Sequence, residues 1–265
     1  MFVIVERDPL KRDFTRVVVW YSCGITSAVS AMMTIKKYQG LLPVEIVYTD
    51  PGGEHPDNKR FIKDCEEWFG QKIIILKSEK YKDIWDCFEK SKYLAGVWGA
   101  TCTSAMKKSL RFKYEDLASD IQVFGFDDSE EKRAERFRQN NPEVYLETPL
   151  IDSRLTKNDC LAIVSRQGIK LPAMYLLGYK NNNCIGCVKG GSGYWNKIRI
   201  DFPDVFERMS NLEQKLNVAL NKSYAGDGKR KRVFLKDLPK DAGIYKSEHS
   251  IECGILCYAT EDEIS

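Results

Sequence analysis

The sequence of 265 residues has only two histidines, His55 and His249, and their spacing supports no Ser-His-Asp arrangement. No apolar run approaches the roughly 18 residues that a membrane-spanning helix needs, so no membrane span is expected. Charge of one sign is not in excess either: 41 Lys and Arg stand against 38 Asp and Glu, a net +3. The strong basic surplus usual for nucleic-acid binders is therefore absent. There is no internal repeat and no low-complexity tract. The opening stretch MFVIVERDPLKRD mixes acids with bases and has no apolar core segment. It does not read as a secretory signal, and a cytoplasmic location is expected. With 43% hydrophobic, 30% charged and 11% aromatic residues, the composition excludes disordered and fibrous classes.

What the sequence does have is cysteine, nine in all: Cys23, Cys65, Cys87, Cys102, Cys160, Cys184, Cys187, Cys253 and Cys257. In a reducing compartment structural disulfides are rare, so clustered cysteines point to metal, redox chemistry or a nucleophile. An odd count also argues against complete pairing.

The first half alternates two periods. Apolar runs at Arg16–Tyr21, Val44–Tyr48, Lys72–Leu76 and Ile121–Gly125 read as buried strands. Helices are expected from Ala28 to Tyr38, from about Pro56 to Phe69, and from Tyr81 to Lys92. That alternation predicts an α/β fold, a doubly wound parallel sheet of Rossmann-like type with helices on both faces. The second half changes character. It offers a helix at about Lys157 to Arg166, a loop rich in Gly, Asn and Cys from Gly178 to Gly193, and an amphipathic helix from Phe202 to about Leu220. The last forty-five residues read as polar and irregular. Two domains are expected: an α/β nucleotide-binding domain at 1–153 and a helical, Cys-rich C-terminal region at 154–265.

The turn after the first strand carries Ser22, Gly24, Thr26 and Ser27 and leads into a helix. Small residues let the backbone approach an anion, and the free N–H groups and hydroxyls of a first helical turn bind it. The spacing is neither a Walker loop nor a Gly-x-Gly-x-x-Gly fingerprint. A tight turn without a ligand is an equally common reading.

At this point the sequence resembles a family. Ser22-Cys23-Gly24-Ile25-Thr26-Ser27-Ala28-Val29-Ser30 is similar to the pyrophosphate-binding loop of the adenine nucleotide α-hydrolase-like superfamily. It is nearer to the sulfonucleotide (PAPS/APS) reductases than to the PP-loop ATP pyrophosphatases. Tyr48 to Asp57 resembles the reductases' Thr-Asp-Thr-Gly segment, and Thr148-Pro149-Leu150-Ile151-Asp152 their Leu-Pro-Ile-x-Asp-Trp. Glu252-Cys253-Gly254-Ile255-Leu256 is similar to their terminal Glu-Cys-Gly-Leu-His. The resemblance implies an adenine nucleotide (PAPS, APS or ATP) bound by Ser22, Gly24, Thr26 and Ser27, with Asp50 and Gly52 from the segment after the second strand. It implies catalysis by Cys253, which attacks the sulfur of a sulfonucleotide and is released by a thioredoxin-like reductant. A homo-oligomer is compatible with it.

Cysteines sort by their surroundings. Cys65, Cys87 and Cys160 sit at apolar helical positions and read as core. Cys184-Ile185-Gly186-Cys187 is a Cys-x-x-Cys on the Gly/Asn-rich loop, half of a zinc site, an iron–sulfur site or a redox dithiol. APS-type reductases hold a [4Fe–4S] cluster with such a pair and an earlier Cys-Cys. Here Cys102 stands alone where that first pair would be. The resemblance implies a metal set of Cys102, Cys184, Cys187 and Cys257, with Cys253 as the other choice for the fourth ligand. Zinc is the alternative to the cluster.

Two departures keep other readings open, one of them Leu256 where the reductases end in His. Where the reductases have an Arg-rich segment, this chain has Asp127-Asp128-Ser129-Glu130-Glu131. Arg133 and Arg136 follow, three apart, either as a shared face toward an anion or as a solvated charged helix. The second reading is a PP-loop ATP pyrophosphatase or sulfurtransferase that adenylates and thiolates a nucleic acid. Its supports are the acidic segment as a Mg²⁺ site and the run Lys229-Arg230-Lys231-Arg232 as a phosphate contact. The plainer reading of that run is a solvated loop. A third reading is a non-enzymatic, metal-stapled nucleotide-binding protein.

Overall fold

Every residue of Arg16–Tyr21 after the first is buried, as an apolar run in the middle of a parallel sheet requires. The computed structural model describes residues 3–4, 12–96, 99–224 and 230–251. The strands used below are β1 (Arg16–Tyr21), β2 (Val44–Asp50), β3 (Ile73–Lys77), β4 (Asp120–Phe124), β5 (Tyr145–Glu147), β6 (Asn221–Tyr224) and β7 (Arg230–Val233). The longer helices are α1 (Ile25–Tyr38), α2 (Asn58–Phe69), α3 (Ile84–Ser91), α4 (Glu131–Asn140), α5 (Lys157–Arg166), α6 (Ser192–Asp201) and α7 (Pro203–Leu216). The described residues fall into two compact units. The first draws on Met1–Asp50, Pro56–Lys77 and Ser109–Asn182, the second on Pro51–His55, Ser78–Lys108 and Asn183–Ser265.

The first unit is the α/β part. Its five-stranded sheet runs in the order β3-β2-β1-β4-β5, and each neighbouring pair is parallel. Alternate residues of β1 serve opposite faces. Val17, Val19 and Tyr21 pack with Ile25, Phe61, Cys65 and Cys160 from α1, α2 and α5. On the other face Trp20 meets the Tyr114 ring edge-on, and Phe124 meets Phe137 of α4. A glutamine in a central strand is explained by its neighbour: the Trp20 indole N–H donates to Gln122 Oε1 at 3.0 Å. At the amino ends of the strands, Arg16 donates to both oxygens of Asp120 at 2.7 and 2.9 Å and to Glu45 at 2.7 Å. One guanidinium thus ties β1, β2 and β4 in register, a geometry suited to bidentate pairing.

In the second unit, α3 begins at Ile84, later than expected, because the Asp83 side chain accepts the Asp86 N–H at 2.8 Å and caps the helix there. The C-terminal part is not irregular throughout. Strands β6 and β7 form an antiparallel hairpin that pairs Asn221 with Val233 and Tyr224 with Arg230. The buried Glu213 carboxylate of α7 accepts the N–H groups of Leu220 and Leu235, each at 2.6 Å, and so roots both ends of the hairpin. Burial raises that carboxyl above its ordinary range, and the two donors pull it back.

The three cysteines read as core are fully buried. Burial pushes the thiols of Cys65 and Cys160 from 9.0 up to about 12, and that of Cys87 upward as well. A folded chain that holds its thiol protons more tightly than the unfolded chain is most stable below the unfolded value, and loses that advantage as pH rises. Stability is therefore expected to be level below about 9 and to fall between about 9 and about 12. Urea midpoints across that range check this, and the double replacement Cys65→Ala with Cys160→Ala makes the fall shallower.

Candidate functional site

Strand order reverses at β1, which lies between β2 and β4, and ligands in open parallel sheets bind at the carboxyl ends beside such a switch. There the chain turns through Ser22, Cys23 and Gly24 into α1. Cys23 has φ 59°, a left-handed conformation costly for a residue with a Cβ, and it is fully buried. Cys23 is the pivot of the turn. Its carbonyl accepts from Asn182 Nδ2 at 2.7 Å, and the same amide donates to Asn58 Oδ1 at 2.8 Å. The Tyr21 hydroxyl lies beneath, 3.9 Å from Cys23 Sγ and 3.4 Å from Cys65 Sγ.

The hydroxyls of the turn are knitted together. Ser27 Oγ accepts the Ser22 N–H at 3.1 Å, donates to the Gly24 carbonyl at 2.9 Å, and lies 3.1 Å from Ser22 Oγ. No side chain of the N-cap residue Gly24 caps α1. The Tyr175 hydroxyl takes the N–H groups of Ile25 and Asn182, while desolvation raises it well above its ordinary range. The floor of the turn comes from β4. A Cβ on Gly125 would lie 2.7 Å from both N and Cα of Ser27, so only glycine lets this strand end meet the first turn of α1.

The remaining expected residues scatter more. Asp50 ends β2 and pairs with Lys77 at 3.1 Å. Gly52 belongs to the second unit, with φ +66° and room for no Cβ against Asp83. Arg133 is bonded to Glu130 and stands over the Phe126 ring at 5.1 Å. Arg136 is exposed and lines an open cleft of about 530 Å³ with Glu135, Arg138, Thr148 and Asp152. The acidic segment works locally. Asp127 accepts the Ser129 N–H and, with Glu130, makes a capping box, while Asp128 and Glu131 pair with Arg154. His55 meets the Phe202 ring at 6.0 Å, and His249 is exposed.

Within the second unit, Cys102, Cys184 and Cys187 line one small cavity whose walls include Ile84, Phe88 and Val188. The Tyr194 hydroxyl clamps the Cys-x-x-Cys loop: it accepts the Cys187 N–H at 2.9 Å and lies 3.2 Å from the Cys184 carbonyl, to which it donates. Gly186, at φ +74°, makes the turn between the two cysteines and abuts Val205 and Trp195. Glu248 then accepts the N–H groups of Gly193 and Tyr194 at 2.6 and 3.0 Å and caps α6. Cys102 sits where Thr101–Thr103 passes into a π-turn, Ser104–Lys108, which carries the buried pair Lys107–Glu54 at 3.4 Å. Three thiols and an apolar wall suit a soft metal. Among the described residues no three His, Cys, Asp or Glu side chains already form a ligand group. Cys253, Cys257 and Lys229 lie outside the described residues.

Sequence reasoning missed Asn182, Tyr175 and Tyr194. Gly125 left a signal, a glycine closing an apolar strand. An asparagine among three and two tyrosines at loop edges left none.

An open parallel sheet with a helix N-terminus at its switch point, joined to a cysteine-lined second unit, defines the class: a doubly wound, Rossmann-like α/β protein. The chain belongs to the phosphoadenosine phosphosulfate reductase domain family, whose profile matches residues 16–192. An uncharacterised protein of Methanocaldococcus jannaschii is 23% identical over 204 residues, 74% of this chain and 41% of that protein, so the chain spans about two fifths of its relative. Two solved structures are similar at 15% identity. One is the phosphoadenylyl-sulfate reductase of Candida auris in its phosphate complex, with TM-score 0.47, covering 64% of this chain and 82% of that one. The other is a U34-tRNA thiolase of Methanococcus maripaludis with its [4Fe–4S] cluster, with TM-score 0.46, covering 80% and 71%. Among the described residues no helix is long and apolar enough to cross a membrane.

Two substitutions probe the two centres. Gly125→Ala forces a methyl onto the Ser27 backbone and is expected to destabilise the fold by about 1–3 kcal/mol, read from denaturant midpoints. Tyr194→Phe leaves the buried Cys187 N–H without its acceptor and is expected to cost about 1–3 kcal/mol. It should also speed labelling of Cys184 and Cys187 by a thiol reagent relative to Cys65.

Proposed function

We propose that the protein is a sulfonucleotide (PAPS/APS) reductase-like oxidoreductase. Membership of the family makes an adenine nucleotide the expected ligand. The observation that carries the reading is the cavity on which Cys102, Cys184 and Cys187 converge. A second contact supports it: Asn183 Nδ2 donates to the Ile251 carbonyl at 2.6 Å, beside Cys184. Cys253 follows Ile251 by two residues, a chain reach of about 7 Å.

In this reading Ser22, Gly24, Thr26 and Ser27 hold the nucleotide phosphates with the N–H groups of α1, and Asp50 and Gly52 assist. Arg133 and Arg136 are the cations offered to sulfate or phosphate. The Cys253 thiolate attacks the sulfur of the sulfonucleotide. A sulfur–sulfur bond forms as the bond from sulfur to the bridging oxygen breaks, and the electron pair leaves on the phosphate of the adenosine nucleotide. One thiol of a thioredoxin-like dithiol then attacks the cysteine sulfur and releases sulfite. The other thiol closes the reductant's disulfide, so the dithiol supplies the two electrons and Cys253 returns as thiolate.

Cys102, Cys184 and Cys187, with Cys257 as fourth ligand, would hold a [4Fe–4S] cluster, and zinc is the alternative. A centre bound there would cross-link the segments that carry its ligands. Iron and zinc counts with a visible spectrum on anaerobically prepared protein separate the two.

Sulfite release from APS or PAPS in the presence of thioredoxin is the direct test. Cys253→Ser is expected to bring it to background. Ser22→Ala, which removes a hydroxyl from a charged ligand, is expected to weaken nucleotide affinity roughly tenfold. ATP-to-AMP turnover with Mg²⁺, and no sulfite, overturns this reading in favour of the pyrophosphatase-type sulfurtransferase.

A further inference from the structure

Gly24 has no conformational need to be glycine. Its φ of −103° and ψ of 164° are extended backbone that any residue adopts. Packing does not demand it either: a Cβ there would meet Ser22 Oγ and the Tyr175 hydroxyl, each at 3.4 Å, which is ordinary contact. What the missing side chain leaves is a small space bordered by two hydroxyls at the amino end of α1. A glycine with neither a backbone nor a packing reason marks a place where a ligand approaches the chain closely. Tyr175 is held beside that space. Its hydroxyl accepts the N–H groups of Ile25 and Asn182. The Lys157 ammonium stands over its ring at 5.5 Å and donates to the Lys180 carbonyl and to Asn181 Oδ1. All of these residues belong to the first unit. With two N–H groups accepted, the hydroxyl has one capacity left, to donate its own hydrogen, and among the described residues no group takes it. Accepting hydrogen bonds makes a hydroxyl a stronger donor, and burial keeps this one protonated.

We propose that the Tyr175 hydroxyl is a direct ligand of the nucleotide, donating to a phosphate oxygen seated over Gly24 together with Ser22 Oγ. A phosphate group there offers several oxygens, so each hydroxyl finds an acceptor at the usual distance of about 2.7–2.8 Å. The phenol relays the helix terminus. It takes the Ile25 N–H that would otherwise face the anion, and passes a donor hydrogen on in its place. A ligand that presents an N–H at this position leaves the phenol's hydrogen unmatched, so the space selects an ionised phosphate oxygen over an ammonium or an amide N–H. Tyr175 has this role only if the turn is the seat of the nucleotide phosphates, as proposed above.

The test is titration calorimetry of the full chain with APS, PAPS, ATP and inorganic pyrophosphate. Tyr175→Phe keeps the ring and removes the hydroxyl, and is expected to weaken whichever of these bind by at least roughly tenfold. Gly24→Ala fills the space and is expected to fold, because its Cβ meets only ordinary contacts, yet to weaken the same ligands. Tyr175→Phe also removes the acceptor of two N–H groups, so a label that keeps the acceptor gives an independent readout: 3-fluorotyrosine at position 175. Its fluorine resonance should shift when the bound anion is added, and the shift should be lost in Gly24→Ala. The same label at Tyr145, at the amino end of β5, should not move. Three results overturn the assignment to Tyr175 and leave the nucleotide site standing, provided that Ser22→Ala weakens binding: Tyr175→Phe binds as tightly as the unaltered chain, Gly24→Ala does so, or the fluorine resonance at 175 stays put. If none of these anions binds, the site and the assignment fall together.

Discussion

The backbone at Cys23 turns through a conformation that a residue with a side chain avoids, and the head of the sheet is organised around keeping it there. The cost of a single left-handed residue of this kind is about 1–2 kcal/mol. Several local interactions offset it. The Cys23 side chain is buried above Tyr21, its carbonyl receives the Asn182 amide, and Asn58 receives the other hydrogen of that amide. Asn182 stands 159 residues further along the chain, so this turn closes only when the α/β unit is complete. Gly125 finishes the arrangement by letting β4 approach Ser27 without a side chain between them. The result is a helix N-terminus whose first N–H is taken by Tyr175 and whose hydroxyls are already oriented. Such preorganisation lowers the ordering cost when an anion arrives.

The cysteine loop follows the same logic with different parts. Its backbone is fixed by one phenol, Tyr194, which satisfies a donor and an acceptor on either side of the Cys-x-x-Cys turn. That phenol is in turn placed by α6, and α6 is capped by Glu248. These residues hold Cys184 and Cys187 at the cavity that Cys102 also lines. Shells of this kind orient ligands before any ligand is bound.

Legibility in the sequence tracked burial. Strands β1, β2 and β4 announce themselves as apolar runs because they are buried; β3 reads as a buried run too, but it is an edge strand and Ile75 is exposed. The parallel arrangement follows from the helices between the strands. The three core cysteines are legible because they are buried. Strand β5, Tyr145–Glu147, is too short to show a period. Helix α6 opens on Gly191-Ser192-Gly193, which reads as loop because its stability comes from Glu248, fifty-five residues away. The hairpin is hidden by its charge, since Arg230-Lys231-Arg232 has none of the residues that usually mark strands. The boundaries of the two units could not be read either. Residues 51–55 and 78–108 join the second unit while the chain on either side of them joins the first. Composition does not shift where a chain crosses between units; only contacts do.

Local charge shows the limit of the same reasoning. A net charge near zero sums over elements that the fold keeps separate, so it hides both the acidic turn at 127–131 and the basic ribbon at 222–232. In the turn, each carboxylate has a nearby partner: Ser129 for Asp127, Arg133 for Glu130, Arg154 for Asp128 and Glu131. Those bonds account for the acids within the fold itself. Charge that the fold neutralises within one turn explains structure, and the sum over the whole chain conceals it.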